Sequence, residues 1–176
     1  QKIQWQQVQE ALIRSALAQP QVYVHRDYHS RNLMVTPENN PGVLDFQDAV
    51  KGPLTYDAVS LLRDCYVRWP AEQVREWQRE YFLMLVQKRL LARDEWQAFL
   101  QSMDWMGIQR HLKASGIFAR LYHRDGKPGY LPDIPNTLTY IVDVGQAYPE
   151  MRFLVDWVEQ DLLPKLTSVE YDQEAG

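Results

Sequence analysis

The chain has 176 residues, of which 45% are hydrophobic and 24% are charged, a composition that supports a folded domain and excludes intrinsic disorder. Its net charge of -4 lacks the basic footprint of a general nucleic-acid binder, so we expect no nucleic-acid partner. The single cysteine, Cys65, excludes an internal disulfide, and no apolar run reaches the ~18 residues of a membrane span. We therefore expect a cytoplasmic protein without a membrane partner.

The first predicted elements are a helix and two short strands. Apolar residues at helical spacing predict a helix over residues 1–19, which Pro20 ends. Residues 22–24 and 33–35 are predicted strands on either side of a loop. The segment Pro-Glu-Asn-Asn-Pro-Gly at residues 37–42 has turn chemistry, so it predicts a hairpin that returns the chain toward an acidic residue.

From Thr55 onward the sequence predicts helices. Thr55 is a candidate N-cap of a helix that has Asp57 in its first turn. Pro70 suits the first turn of the next helix. Gly107 and Gly116 predict an interruption or bend in the helix after that.

Two amphipathic helices are predicted over residues 136–147 and 149–163. Residues 167–176 form a predicted polar tail.

The candidate chemistry lies between the two predicted strands and just beyond the hairpin. His25, Asp27 and Asn32 form an H-x-D-x-x-x-x-N frame, and Asp45 ends the next apolar run. Phosphoryl transfer from a magnesium nucleotide requires such a set of carboxylate, amide and carboxylate. Asp27 is the candidate base for the acceptor hydroxyl, and His25 is predicted to hold the loop backbone through its ring. Asn32 and Asp45 are candidate Mg²⁺ ligands, because Mg²⁺ takes few carboxylates beside phosphate oxygens.

Three neighbours of this frame have open roles. Asp48 either binds a second metal ion or fixes its own loop. His29 either contacts the substrate or supports the groups that do. Asp57 is predicted to anchor a helix start rather than to act in catalysis.

The sequence upstream of the frame lacks the residues that usually cover nucleotide phosphates. The chain starts at Gln1, its first glycine is Gly42, and Lys2 is the only lysine before the frame. We therefore expect a fragment whose nucleotide-binding lobe lies upstream, with negligible kinase activity from these 176 residues alone.

The stretch over residues 25–57 resembles the catalytic region of the aminoglycoside phosphotransferase family, which shares its fold with protein kinases. This resemblance implies that Asp27 is the base, that Asn32 and Asp45 are metal ligands, and that ATP and Mg²⁺ are the cofactors. Gln47 stands where protein kinases carry a glycine, and the path to the next helix is short for a peptide platform. Both departures favour a small-molecule acceptor.

The implied fold is α+β and mostly α, namely a protein-kinase-like C-terminal lobe with a small β-hairpin at the catalytic loop. The lobe would cover residues 1–166, with the catalytic loop and metal ligands in residues 25–57 and a helical substrate part in residues 55–163. The N-terminal nucleotide lobe would be absent from this sequence.

A longer resemblance covers most of the chain. Residues 105–113, 116–121 and 124–127 look like the bacterial anomeric sugar kinases of cell-wall recycling. Those enzymes use ATP to phosphorylate N-acetylmuramic acid and N-acetylglucosamine at the anomeric hydroxyl. The resemblance implies a sugar acceptor, and it suggests anion or sugar contacts by Arg110, His111 and Lys113. The alternative for these residues is a basic helix face that pairs with nearby acids.

Two other functions remain open at this point. One is phosphorylation of an aminoglycoside or another small alcohol, which for a cationic drug would require an acidic cluster in the cleft. The other is a non-catalytic kinase-like lobe that only recognises a sugar or a partner protein.

Overall fold

The computed structural model describes residues 1–167, which divide into two compact units. One unit is Leu12–Arg110, and the other combines Gln1–Ala11 with the chain from His111 onward. Helices α1 (Lys2–Ala18) and α4 (Trp96–Asp125) contribute residues to both units. Residues 168–176, which include most of the predicted polar tail, lie outside the described part. The expectation of a mostly helical α+β chain is confirmed.

Two small antiparallel sheets frame the loop over residues 25–32, which is the predicted catalytic loop. Strand β1 (Gln21–Val24) pairs with β4 (Val50–Pro53), and β2 (Leu33–Met34) pairs with β3 (Gly42–Val43). The hairpin predicted from the turn at residues 37–42 is therefore confirmed. Strand β4 was not predicted, because its sequence Val-Lys-Gly-Pro has little of the composition typical of strands.

Strands β1 and β4 approach each other closely at Gly52. A Cβ atom placed on Gly52 would lie 2.6 Å from Cγ2 of Val24, whose side chain is only 3% exposed. Because a buried valine has little room to move, only glycine allows this pairing. The pairing fixes the end of β1, from which the catalytic loop starts at His25.

Helices α2 (Tyr56–Leu62), α3 (Ala71–Gln87) and the first part of α4 build the core of the Leu12–Arg110 unit. The core side chains are apolar and buried, and they are Leu54, Val59, Phe82, Leu85, Phe99, Met103 and Met106. Arg63 pairs with Asp104, which ties the end of α2 to α4.

The interruption predicted at Gly107 or Gly116 does not occur, since α4 runs through both positions as one helix; the alternative of a bend stays a prediction. A Cβ atom on Gly107 would lie 3.1 Å from Nη1 of Arg63, so this glycine serves a close approach between α2 and α4. Gly116 has no atom within 4 Å of the corresponding position.

Thr55 precedes α2, but its side chain does not cap the helix. Its hydroxyl donates a hydrogen bond of 2.7 Å to Oε1 of the buried Gln19, and its backbone N–H donates to the same oxygen at 3.2 Å. The predicted side-chain cap is therefore wrong, while Asp57 does lie in the first turn of α2.

In the other unit, α5 (Asp133–Gly145) packs against α6 (Arg152–Trp157) and α7 (Leu163–Thr167). A π-helical turn over Val158–Leu162 joins α6 to α7. Within residues 1–167, none of the helices combines the length and the apolar composition needed to cross a bilayer.

Candidate active site

The backbone of the catalytic loop is held by the carboxylate of Asp57. The backbone N–H groups of His25 and Arg26 donate to its two oxygens, over 2.6 Å and 3.0 Å. Arg26 has a φ of 79°, in the left-handed region that costs a non-glycine residue about 1–2 kcal/mol. Asp57 therefore stabilises a loop conformation that is unfavourable by itself, immediately before Asp27.

Arg110 holds the same loop from the other side. Its Nη1 donates to the carbonyl of Arg26 at 3.1 Å, and its Nη2 donates to the hydroxyl of Ser60 at 2.6 Å. The guanidinium carbon also lies 4.4 Å from the centre of the Tyr56 ring. Both sides of Arg26 are thus bound, its N–H to Asp57 and its carbonyl to Arg110. The structure shows this positioning role for Arg110, and its predicted sugar contact stays a prediction.

A third group that holds the loop, Asp64, was missed in the sequence. It is only 2% exposed, and its two oxygens accept hydrogen bonds from the backbone N–H groups of Ser30 and Tyr66, at 2.9 Å and 3.0 Å. These bonds offset the cost of burying a carboxylate. One sequence signal could have revealed Asp64, since it follows the C-terminal end of α2, where the helix dipole disfavours an acid.

The predicted metal ligands flank the hairpin, with Asn32 directly before β2 and Asp45 two residues after β3. The side-chain N–H of Asn32 donates to the backbone carbonyl of Asp27 at 2.9 Å, and the N–H of Leu44 donates to the carbonyl of Asn32 at 3.0 Å. The first bond directs the amide nitrogen of Asn32 toward the loop. The amide oxygen accepts no hydrogen bond from any residue in the described range, which suits a metal ligand.

His25 links the loop to the strand that precedes Asp45. Its Nε2 lies 2.8 Å from the carbonyl of Leu44, so this nitrogen carries the hydrogen and donates it. Asp45 itself is exposed and has a φ of 62°, which aims its side chain differently from that of an extended residue. The Asp45 carboxylate accepts a hydrogen bond from the side chain of Gln47.

The donor set fits Mg²⁺ only if phosphate oxygens complete it. Within residues 1–167, no three His, Cys, Asp or Glu side chains gather as a metal site. Asn32 and Asp45 supply one amide oxygen and one carboxylate, and Mg²⁺ commonly combines so few protein ligands with nucleotide phosphates. Asp48 is exposed, and its backbone carbonyl is 3.5 Å from Nη1 of Arg26. Its predicted second-metal role stays a prediction.

His29 is half-buried within the catalytic loop. Its N–H donates to the carbonyl of Asp27 at 3.1 Å, and its ring meets the Tyr66 ring edge-on with centres 5.6 Å apart. Burial lowers the pKa of His29 below 6.5, and this effect outweighs the negative charges of Asp64 and Asp27, which raise it.

A sequence profile described as the phosphotransferase enzyme family matches residues 1–99, which include the catalytic loop, the hairpin and α2. The chain belongs to the phosphotransferase enzyme family. The resemblance of residues 25–57 to such enzymes is thereby confirmed.

Several curated proteins are similar to this chain, and they carry the name N-acetylmuramate/N-acetylglucosamine kinase. The protein from Pseudomonas putida is 49% identical over 160 residues, which cover 91% of this chain and 47% of that protein. The Neisseria meningitidis protein is 49% identical over 84% of this chain and 44% of its own length. The Caulobacter vibrioides protein is 34% identical over 89% of this chain and 42% of its own length. The chain spans less than half the length of these relatives.

Two predicted substrate residues, His111 and Lys113, belong to the unit that combines Gln1–Ala11 with the chain from His111 onward. His111 is only 2% exposed, and its ring stacks on Tyr140 with centres 4.7 Å apart and planes 8° from parallel. The aromatic stack accounts for the burial of His111, and its predicted sugar contact stays a prediction. Lys113 is exposed, and its substrate role stays a prediction.

Proposed function

We propose that the full-length protein containing this chain is an ATP- and Mg²⁺-dependent kinase that phosphorylates the anomeric hydroxyl of an amino sugar in cell-wall recycling. The observation that carries the proposal is the chain of hydrogen bonds from Asp27 to Asn32 and on to the residue before Asp45. It gives a candidate base and two candidate metal ligands one common support. The names of the relatives support N-acetylmuramate and N-acetylglucosamine as acceptors.

Asp27 orients the sugar hydroxyl and accepts its proton as the bond between the hydroxyl oxygen and the γ-phosphorus forms. The bond between that phosphorus and the β–γ bridging oxygen breaks, and ADP leaves with the electron pair. Asn32 and Asp45 would hold Mg²⁺, which neutralises charge on the phosphates when bound. Since Asp57 and Arg110 fix the loop beforehand, little reorganisation of Asp27 is required in the reaction.

We further propose that residues 1–166 form the C-terminal lobe of a kinase-like fold, with residues 55–163 as its helical substrate part. The groups that cover the nucleotide phosphates then come from the part of the full-length protein outside this chain, as the length of the relatives suggests. Under this proposal, the isolated 176 residues have negligible kinase activity.

The test is a phosphorylation assay of the full-length protein with ATP and, in separate reactions, N-acetylmuramate, N-acetylglucosamine and an aminoglycoside. We expect a sugar 1-phosphate as product. Asp27→Asn should reduce kcat by about 10²–10⁴-fold with little effect on nucleotide affinity. Asp45→Ala should instead weaken Mg²⁺-nucleotide binding, and Asp94→Asn on the exposed turn before α4 serves as the control.

Three outcomes would contradict the proposal. Turnover of the aminoglycoside alone would replace the sugar as acceptor. Near-normal turnover by Asp27→Asn would remove Asp27 as the base. Sugar binding without ATP binding would indicate a non-catalytic lobe.

A further inference from the structure

We propose that Arg31 and Tyr66 form an anion-binding subsite beside the catalytic loop, which binds the carboxylate of an acidic amino sugar. The inference rests on the proposed function, and it names the substrate group that distinguishes N-acetylmuramate from N-acetylglucosamine. Neither residue was a candidate in the sequence.

The first observation is the stack between the two side chains. The guanidinium carbon of Arg31 lies 3.5 Å from the centre of the Tyr66 ring, over its face. Such a cation–π contact restrains a long side chain that is otherwise exposed. An arginine that is restrained in this way loses less conformational entropy when it binds a ligand.

The second observation is that the guanidinium donors are not used inside the protein. Within residues 1–167, no carbonyl or carboxylate accepts a hydrogen bond from the Arg31 side chain. Arg63 and Arg110 differ in this respect, since they donate to Asp104 and to Ser60 respectively. The buried acid beside the stack, Asp64, accepts from backbone N–H groups instead.

The third observation is that both halves of the stack are held by the same buried group. Asp64 binds the N–H of Ser30, which precedes Arg31, and also the N–H of Tyr66 itself. The stack is therefore placed by backbone bonds rather than by the mobile ends of side chains. A binding group supported in this way is preorganised.

The stack is also connected to the loop that carries the candidate base, Asp27. The Tyr66 ring contacts the ring of His29, and the His29 N–H donates to the carbonyl of Asp27. Arg31 is moreover followed directly by Asn32, whose side chain binds that same carbonyl. An anion bound by Arg31 would thus belong to a molecule that is in reach of the catalytic loop.

The chemistry of the two candidate sugars indicates which anion this subsite would bind. N-acetylmuramate is N-acetylglucosamine with a lactyl ether, and the lactyl group carries a carboxylate. The planar fork of an arginine matches a carboxylate through two parallel hydrogen bonds. The γ-phosphate of ATP has the same acceptor chemistry and is the competing source, so the test has to separate the two.

The test compares kinetics and binding of the full-length wild-type protein and Arg31→Gln with both sugars. We expect the KM for N-acetylmuramate to rise at least about tenfold, while kinetics with N-acetylglucosamine and the KM for ATP change less than about threefold. Arg31→Lys should restore part of the loss, because it keeps the charge without the fork. Arg79→Gln, at an exposed position of α3, is the matched control, and thermal melting checks that each variant folds.

Calorimetric titration with each sugar in the absence of ATP separates this inference from the proposed function. Tighter binding of N-acetylmuramate that Arg31→Gln abolishes would support the subsite, even if neither sugar were phosphorylated. Equal losses with both sugars, or a raised KM for ATP, would assign Arg31 to the phosphate and overturn the inference. Unchanged binding of N-acetylmuramate by Arg31→Gln would overturn it as well.

Discussion

The two sides of the catalytic stretch are held in place by different means. The side with Asp27 is tied by Asp57, Asp64 and Arg110, which lie 31 to 84 residues away in sequence from the loop residues that they bind. The side with Asp45 is tied by a hairpin of two residue pairs and by the bond from His25. Bonds that span more than 30 residues thus hold the loop of the candidate base, whereas bonds of shorter range hold the segment of the candidate metal ligand Asp45.

The side with Asp27 is also more buried than the side with Asp45. Around Asp45 the apolar side chains are exposed, including Val35 at 93% and Phe46 at 68%. The groups behind Asp27 are buried, with Asp64 and Ser60 each at 2%. Since few buried contacts mean a low free energy of local opening, the hairpin side should open more readily. A base has to be oriented before the reaction, whereas a metal ligand can adjust when metal and phosphates bind.

Among the substitutions that test this difference between the two sides, Asp57→Ala should have the largest effect. The substitution leaves the N–H groups of His25 and Arg26 without their acceptor and releases the left-handed conformation of Arg26. We expect a loss of about 2–4 kcal/mol in the free energy of unfolding and a drop of at least about 100-fold in kcat. Chemical denaturation and steady-state kinetics of the full-length protein measure the two effects.

Asp94→Ala is the control, since that carboxylate lies on an exposed turn, and it should change neither quantity appreciably. A variant Asp57→Ala with unchanged kcat would show that the loop keeps its conformation without this carboxylate. The conformation of the side with Asp27 would then depend on long-range bonds no more than that of the side with Asp45.

His25→Leu tests the link between the two sides with a smaller expected effect. The substitution removes the hydrogen bond to the carbonyl of Leu44 and leaves the backbone bond to Asp57 in place. We expect the KM for Mg²⁺-ATP to rise about 5–10-fold with kcat changed less, because the bond is worth about 1 kcal/mol. Steady-state kinetics at varied Mg²⁺-ATP measure this change.

His25→Gln, whose amide can donate to the same carbonyl, should recover part of the loss. If His25→Leu lowers kcat and leaves the KM for Mg²⁺-ATP unaltered, His25 serves the base side and the division between the two sides fails.

Local features of the site could be predicted from the sequence. The residue types of the turn at residues 37–42 predict the hairpin. The position of Asp57 follows from a helix that begins near Thr55. The frame of His25, Asp27 and Asn32 depends on fixed spacing within one loop. In each case the information lies within a few neighbouring residues.

Features that depend on distant contacts could not be predicted. The role of Arg110 follows from a carbonyl 84 residues earlier, and Gly107 looks like a helix breaker until the approach of Arg63 is known. Strand β4 forms because Gly52 admits Val24, not because of its own composition. The burial of His111 could not be predicted either, because the ring that stacks on it, Tyr140, lies 29 residues further on.

The smallest effect is expected from the ionisation of His29 on the base side. Burial lowers its pKa below 6.5 in the folded protein, so the unfolded chain takes up a proton at a higher pH than the folded chain does. The contribution of neutral His29 to stability is therefore present above pH 6.5 and is lost as the pH falls through the folded-state pKa. We expect the melting temperature to fall about 1–2 °C more between pH 7 and pH 5 in the wild type than in His29→Gln. Thermal melts at several pH values measure the difference, with His123→Gln at an exposed position as the control. If the melting temperature falls equally with pH in the wild type and in His29→Gln, protonation of His29 does not destabilise the fold. The loop around Asp27 would then tolerate a new charge as well as the exposed hairpin does.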